Sequence, residues 1–388
     1  MKRLVKFALA TTVALSIGAS VRADLSVYYT GSTAMRSTFY NAIADKIGVA
    51  DQGGSSSGQM TWEGKSWDGT TVNIYANFTG SAQGIQDLIQ GNLLNYLDHT
   101  GATFTHAPTA ALSDVYQAST PFSTSFGFSD ISSWDFTGNP GHAGIGCLVF
   151  MFAGNKAALD LGINNMSAEN FRNLAATGKE TAGFFGSSTP ATQVYLTGRN
   201  NKSGTRITTL AVTGYGIFKG VQQWAAGVVN DDGTGKYARG GDIAAPPVAF
   251  APNANYVGGE GWDSGGGVAG DLSNNNMNAG DAYPMVSYVG VSDANTIGNG
   301  GGVIKYDGYA YTTANLANGA YTFWCYEHLY SKPGTDADTF KTSLNTAVQA
   351  REVTDYGAPP APLGVPSVVP LSAPYLKVSR SGDGSLVH

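Results

Sequence analysis

The stretch Thr197–Arg206 reads TGRNNKSGTR, and its reading decides how the rest of the chain is taken. A short β-type run, Thr192–Leu196 (TQVYL), precedes it, and the apolar-spaced Ile207–Val212 follows. Strand, turn with an arginine, then Ser203-Gly204-Thr205 opening a helix is an order that builds an oxyanion site. The first turn of a helix carries unpaired N–H groups and about half a positive charge. Hydroxyls of Ser203 and Thr205 add donors, Gly204 lets the backbone come close, and Arg199 can fork two more donors onto the same oxygens. Alone, the stretch favours a plainer reading, a capped surface helix with a solvated arginine, because Ser, Thr and Gly are ordinary caps. Similar openings upstream shift the balance.

Leu25–Tyr29 (LSVYY) predicts a strand, and Gly31-Ser32-Thr33 then opens a helical run with Met35, Phe39, Ile43 and Ile47 on one face. Thr71–Phe78 alternates like a strand, and Gly80-Ser81 leads into a helix over Ala82–Gln90. Phe122–Ile131 contains FGFSDI, read as a short strand ending on Ser129-Asp130, and Ile145–Ala153 (IGCLVFMFA) reads as a fully buried strand. Ser167–Leu174 predicts a capped helix, and Ile207–Gln223 is helical in tendency despite Gly214, Gly216 and Gly220. In Trp262–Ala269 (WDSGGGVA) another serine–glycine turn precedes a helix, inside the Gly/Asn/Asp-rich stretch Asn230–Asp281. Tyr283–Val291 and Gly319–Trp324 look like strands, Thr339–Arg351 like a closing helix, and Gly357–Pro370 like an extended tail or linker. Repeated strand–helix alternation argues for α/β layers with ligand-binding turns at the carboxyl ends of the strands.

Lys2, Arg3 and Lys6 head an apolar run, Phe7–Ala19, and Val21-Arg22-Ala23 supplies the small residues read by a signal peptidase. Cleavage after Ala23 is expected, with an exported, soluble product and no lipid anchor, since Asp24 and not cysteine follows. The leader takes four basic residues and no acid with it, so the formal charge moves from -6 to -10. Such a chain is a poor partner for nucleic acid or an anionic membrane surface. A small anion is not excluded, because helix termini and hydroxyls act locally. With 42% hydrophobic and 13% charged residues and 52 glycines, the chain reads as ordered, turn-rich and long enough for two lobes. Cys147 and Cys325 can pair in an oxidising compartment or remain buried thiols.

Other chemistries fit less well. Asp263-Ser264-Gly265-Gly266 has the look of a serine-protease nucleophile segment, yet none of the five histidines stands in a recognisable base motif. No histidine pair has helical zinc spacing, two lone cysteines make no structural zinc site, and no GxxxxGK[ST] loop occurs. Asn230-Asp231-Asp232-Gly233 reads as an Asx turn ahead of a calcium loop. No metal or cofactor is expected.

YTGSTAMR, GSAQGIQDL, FGFSDIS, GRNNKSGTR, WDSGGGVA, YPMVSYVGV and GAYTFW occur in the order seen in the phosphate-binding periplasmic proteins of ABC transporters, which the chain resembles up to about Arg351. The resemblance implies a type II periplasmic-binding fold: two α/β lobes, each a mixed sheet flanked by helices, joined by two crossing strands. It divides the chain into a leader (1–23), a first lobe (24–145 plus 319–356), a second lobe (146–318) and a proline-rich tail (357–388). It implies that Ser32, Thr33 and Ser81 hold the anion from the first lobe, that Asp130 faces it, and that Arg199, Ser203, Gly204 and Thr205 close from the second. The implied ligand is inorganic phosphate, the implied partner a membrane permease, and the protein a periplasmic monomer with no chemical step.

Asp130 carries the discrimination in this reading. A carboxylate beside a fully ionised anion is costly, but a ligand that keeps a proton can donate it. Phosphate keeps one near neutrality and sulfate does not. The alternatives are a cell-surface or matrix protein on the same fold, another oxyanion as ligand, and, last, a phosphoester hydrolase.

Overall fold

The computed structural model describes residues 24–114, 132–135, 144–217, 219–225, 248–249, 261–274, 283–359, 362–371 and 375–380. Chain order begins with β1 (Leu25–Gly31), α1 (Arg36–Ile47), β2 (Gln59–Trp67), β3 (Thr70–Asn77) and α2 (Ser81–Gln90). A hairpin of β4 (Leu94–Leu97) and β5 (Thr103–His106) leads to the short β6 (Ala110–Ser113). The long β7 (Gly146–Gly154) follows, then α3 (Lys156–Asp160), β8 (Asn165–Met166), α4 (Ala168–Thr177), β9 (Lys179–Thr181), β10 (Gln193–Leu196) and α5 (Gly204–Val212). A small pair, β11 (Trp224–Ala225) and β12 (Val248–Ala249), precedes α6 (Gly265–Asn274), β13 (Met285–Gly290) and α7 (Val291–Ala294). The chain closes with β14 (Gly302–Tyr306), α8 (Thr313–Ala317), β15 (Trp324–Ser331), α9 (Asp336–Gly357) and β16 (Val368–Val369).

One mixed sheet runs in the order β2-β3-β1-β6-β15-β7-β13-β10-β9, flanked by helices. The α/β expectation holds. All nine residues of β7 and all eight of β15 are buried, as the continuous apolar run Ile145–Ala153 predicts for β7. The first half of β7 pairs antiparallel with β15 (Leu148 opposite Cys325), its second half with β13 (Phe152 opposite Tyr288). β7 therefore stitches the β1–β6 side of the sheet to the β13–β10 side. The periodic residues Met35, at the N-cap of α1, and Phe39 and Ile43 within it are buried, with Phe39 packed against the rings of Tyr29, Trp62 and Phe78. Tyr28, Tyr75, Tyr96 and Phe104 pack ring on ring under the β4–β5 hairpin, so these aromatics serve packing.

Three elements differ from expectation. The helix opened by Ser203 stops at Val212, where Gly214 and Gly216 take φ of +69° and +108°, a left-handed conformation that ends helices. The strand expected over Gly319–Trp324 begins only at Trp324 and runs on to Ser331. The proline-rich end is not a loose linker: Val368–Val369 pairs with β7, Leu363 N donates to Asn295 Oδ1 (2.9 Å), and Tyr311 OH donates to Pro366 O (2.7 Å). The strand expected around FGFSDI lies outside the described residues. Among the described residues no helix is long and apolar enough to cross a membrane.

No disulfide joins Cys147 and Cys325. Cys147 lies opposite Tyr326 and Cys325 opposite Leu148, adjacent rungs of one ladder, so the two thiols point to opposite sheet faces. Burial also pushes the Cys147 thiol well above its ordinary range. A thiol-specific reagent will therefore find neither cysteine in the native protein and both after denaturation without reductant. Silence after denaturation would mean that the two are bridged.

Candidate functional site

β1, β3 and β6 run parallel, with Thr30 beside Asn77 and Gly31 beside Leu112, so their carboxyl ends share one edge. The residues that follow are Ser32 and Thr33, Thr79–Ser81, and Asp114. β10 and β13 are also parallel and end at Leu196 and Gly290, ahead of the Arg199 turn and α7. Two contacts close the gap between the two groups: Arg199 Nη2 donates to Thr33 Oγ1 (3.3 Å) and Ala82 N donates to Lys202 O (3.2 Å). Within the first group Ser113 Oγ donates to Ser81 O (3.4 Å).

Arg199 is almost wholly buried and is held from three sides. Residues Gly198–Asn200 run beside Trp262, with Trp262 N donating to Gly198 O (2.8 Å) and Asn200 N to Trp262 O (3.0 Å). The guanidinium donates from Nε to Trp262 O (3.2 Å) and from Nη2 to Asp263 O (2.9 Å). Gln223 Nε2 and Arg206 Nη1 both donate to Arg199 O, at 3.0 and 3.2 Å. Trp262 is itself fixed by Nε1 donating to Asp271 Oδ2 (3.1 Å) on α6. Burial lowers the pKa of Arg199, Asp293 and Asp114 oppose that shift, and Arg36 adds to it. A guanidinium clamped through backbone carbonyls is preorganised, so little side-chain entropy is lost when it meets an anion.

Around it the donors expected from the sequence converge. Ser203 caps α5, its Oγ accepting from Arg206 N (3.4 Å), which leaves the hydroxyl proton to donate elsewhere. The N–H groups of Gly204 and Thr205 occupy the first turn, where no intrahelical acceptor exists. Ser32 is fully buried and its Oγ has no hydrogen-bond partner among the described residues, while its N–H is spent on Leu112 O (2.8 Å). Ser81 is the first residue of α2, also buried. The structure thus brings Ser32, Thr33, Ser81, Arg199, Ser203, Gly204 and Thr205 to one region. Asp130 lies outside the described residues.

A carboxylate that the sequence reading did not single out lies at this cluster. Asp114, 1% exposed, follows directly on β6. Its side chain presses on Gly204 so closely that a Cβ there would lie 1.4 Å from Asp114 Oδ1. Asp114 thus sits over the positive end of α5. The signal was Ser113-Asp114 behind Ala110–Leu112, the same strand-then-Ser-Asp order as FGFSDI. It was missed because β6 is only four residues long and half alanine. Two further charges went unread. Asp293 on α7 has its pKa raised by burial, with Arg199 and Arg36 pulling it back, and Arg36 donates from Nε to Thr33 O (2.9 Å).

Hydroxyls, helix-start N–H groups, one guanidinium and one carboxylate around a shared point can hold a tetrahedral oxyanion that carries a proton. No family model matches the chain, and no curated protein matches it. Among solved structures it is similar to a protein assigned as a phosphate ABC transporter substrate-binding protein with bound phosphate from Clostridium perfringens: 12% identity, 85% of this chain and 97% of that chain covered, TM-score 0.47. It is also similar to an ABC-type phosphate transport receptor from Vibrio cholerae (12% identity, 85% and 98% covered, TM-score 0.45). A third is a phosphate binding protein from Stenotrophomonas maltophilia (14% identity, 90% and 91% covered, TM-score 0.42). What this chain binds is a matter for its own side chains.

Proposed function

We propose that the protein binds inorganic phosphate as the solute-binding component of an ABC transporter, working as a monomer in the periplasm after removal of residues 1–23. It delivers the anion to a membrane permease and performs no chemical step. In this reading residues 24–145 with 319–356 and residues 146–318 are two lobes that close on the ligand about β7 and β15. Ser32, Thr33 and Ser81 hold the anion from one lobe, and Arg199, Ser203, Gly204 and Thr205 from the other.

The observation that carries the reading is the buried Asp114 carboxylate set among donors. Donors alone would suit sulfate and phosphate equally. An acceptor in their midst suits an anion that still carries a proton, and repulsion becomes a charge-assisted hydrogen bond worth about 1.5–3 kcal/mol. Asp114 is thus a candidate, beside Asp130, for the acid that faces the anion.

Isothermal titration of the mature protein with phosphate and with sulfate tests this. Phosphate should bind at micromolar affinity or better, with sulfate far weaker; no phosphate heat, or equal affinities, would sink the proposal. Asp114→Asn should cut the phosphate-over-sulfate preference by about tenfold or more, the equivalent of one charged hydrogen bond. An unchanged preference would remove Asp114 from the account.

A further inference from the structure

Beside the anion cluster lies a cavity of about 190 Å³ that a bare phosphate would leave unused. Thr33, Arg36, Ser292 and Asp293 line its polar wall, and Leu148 and Val149 of β7 give it an aliphatic floor. Thr33 belongs to both spaces, since its Oγ1 accepts the Arg199 hydrogen bond. A cavity of this size holds several waters, more room than a two-carbon chain with a polar tip requires.

Its charges are unequally engaged. Arg36 is turned to backbone oxygens, donating from Nε to Thr33 O (2.9 Å) and from Nη1 to Ser56 O (3.0 Å). The Asp293 carboxylate is packed against the opening residue of α6, where a Cβ on Gly265 would lie 1.8 Å from Oδ2. No side chain among the described residues donates a hydrogen bond to it, and Arg199 and Arg36 act on it through space only. Asp114, Asp293 and Asp263 already balance Arg199, Arg36 and Arg206, so a phosphate dianion leaves the site in negative excess. A cation at Asp293 would offset that excess and supply the missing donor.

We propose, resting on the phosphate reading above, that this cavity receives the organic end of a short-chain phosphomonoester carrying an ammonium group. The phosphoryl oxygens occupy the Arg199–Ser203 cluster, the ester oxygen leaves on the Thr33 side, the chain lies on Leu148 and Val149, and the ammonium meets Asp293.

Titration calorimetry of the mature protein with phosphoethanolamine, ethyl phosphate and inorganic phosphate tests this. Phosphoethanolamine should bind about tenfold or more tightly than ethyl phosphate, and Asp293→Asn should shrink that gap to about threefold or less. Ser292→Leu, which narrows the cavity and leaves its charge alone, should weaken both esters relative to phosphate. If phosphate binds but phosphoethanolamine gains nothing over ethyl phosphate, or the gap survives Asp293→Asn, the inference falls and the phosphate reading stands. If none of the three gives heat, both fall together.

Discussion

Gly204→Ala will fold with a modestly lower thermal midpoint and bind phosphate about 100-fold more weakly, the equivalent of one to two charged hydrogen bonds. The two halves of that expectation have separate causes. Alanine's helix preference counts for little at the first position of α5, and overpacking a buried site costs about 1–3 kcal/mol, so the thermal midpoint should fall by a few degrees. The new methyl would stand 1.4 Å from Asp114 Oδ1 and 2.3 Å from its Cγ, so the carboxylate has to leave the helix start. Ligand acceptor and helix donors are then no longer set around one point. Thermal denaturation with and without phosphate reads both halves at once. A variant that keeps its phosphate-induced stabilisation would show that the Asp114–Gly204 contact has no part in binding.

The second large effect concerns stability. Glu352 on α9 is 1% exposed, and neither carboxylate oxygen has a hydrogen-bond partner among the described residues. It lies over β7, its Oε1 2.2 Å from where a Cβ on Gly146 would be. Burial, with a smaller push from Asp355, raises its pKa well above the ordinary 4.5. The folded state therefore holds a proton that the unfolded chain releases above about pH 4.5. The resulting penalty is absent below the unfolded pKa, grows as pH rises towards the folded pKa, and is constant above it. A buried polar group without a hydrogen bond costs about 1–3 kcal/mol, so Glu352→Met, of similar volume, should raise stability by about 2 kcal/mol at about pH 8. Urea unfolding at about pH 8 and about pH 4 decides it, because the gain should shrink at the lower pH. An equal gain at both would mean that ionisation of Glu352 does not matter.

Much of the scaffold was legible because its signals were local. Helical spacing placed Met35, Phe39 and Ile43 on the buried face of α1. An unbroken apolar run announced β7, and Ser167 announced α4 as an N-cap, which the structure completes as a capping box with Asn170. The Arg199–Thr205 turn was legible for the same reason: strand, cap and helix are contiguous in sequence. What went unread depends on tertiary placement. β6 is too short and too alanine-rich to stand out, so Asp114 was not read as an acid facing a ligand. Val368–Val369 has no strand pattern of its own and pairs only because the edge of β7 at Cys147–Leu148 is there to receive it. Asp293 and Arg36 look like ordinary helix charges until the fold places them around Arg199.

The most direct measurement is a crystal structure of the mature protein grown with phosphate. Tetrahedral density should lie against Arg199, Ser32 Oγ, Ser203 Oγ and the N–H groups of Gly204 and Thr205, with one oxygen within hydrogen-bond reach of Asp114. Phosphate bound at another surface, or that region filled by side chains alone at saturating ligand, would contradict the assignment.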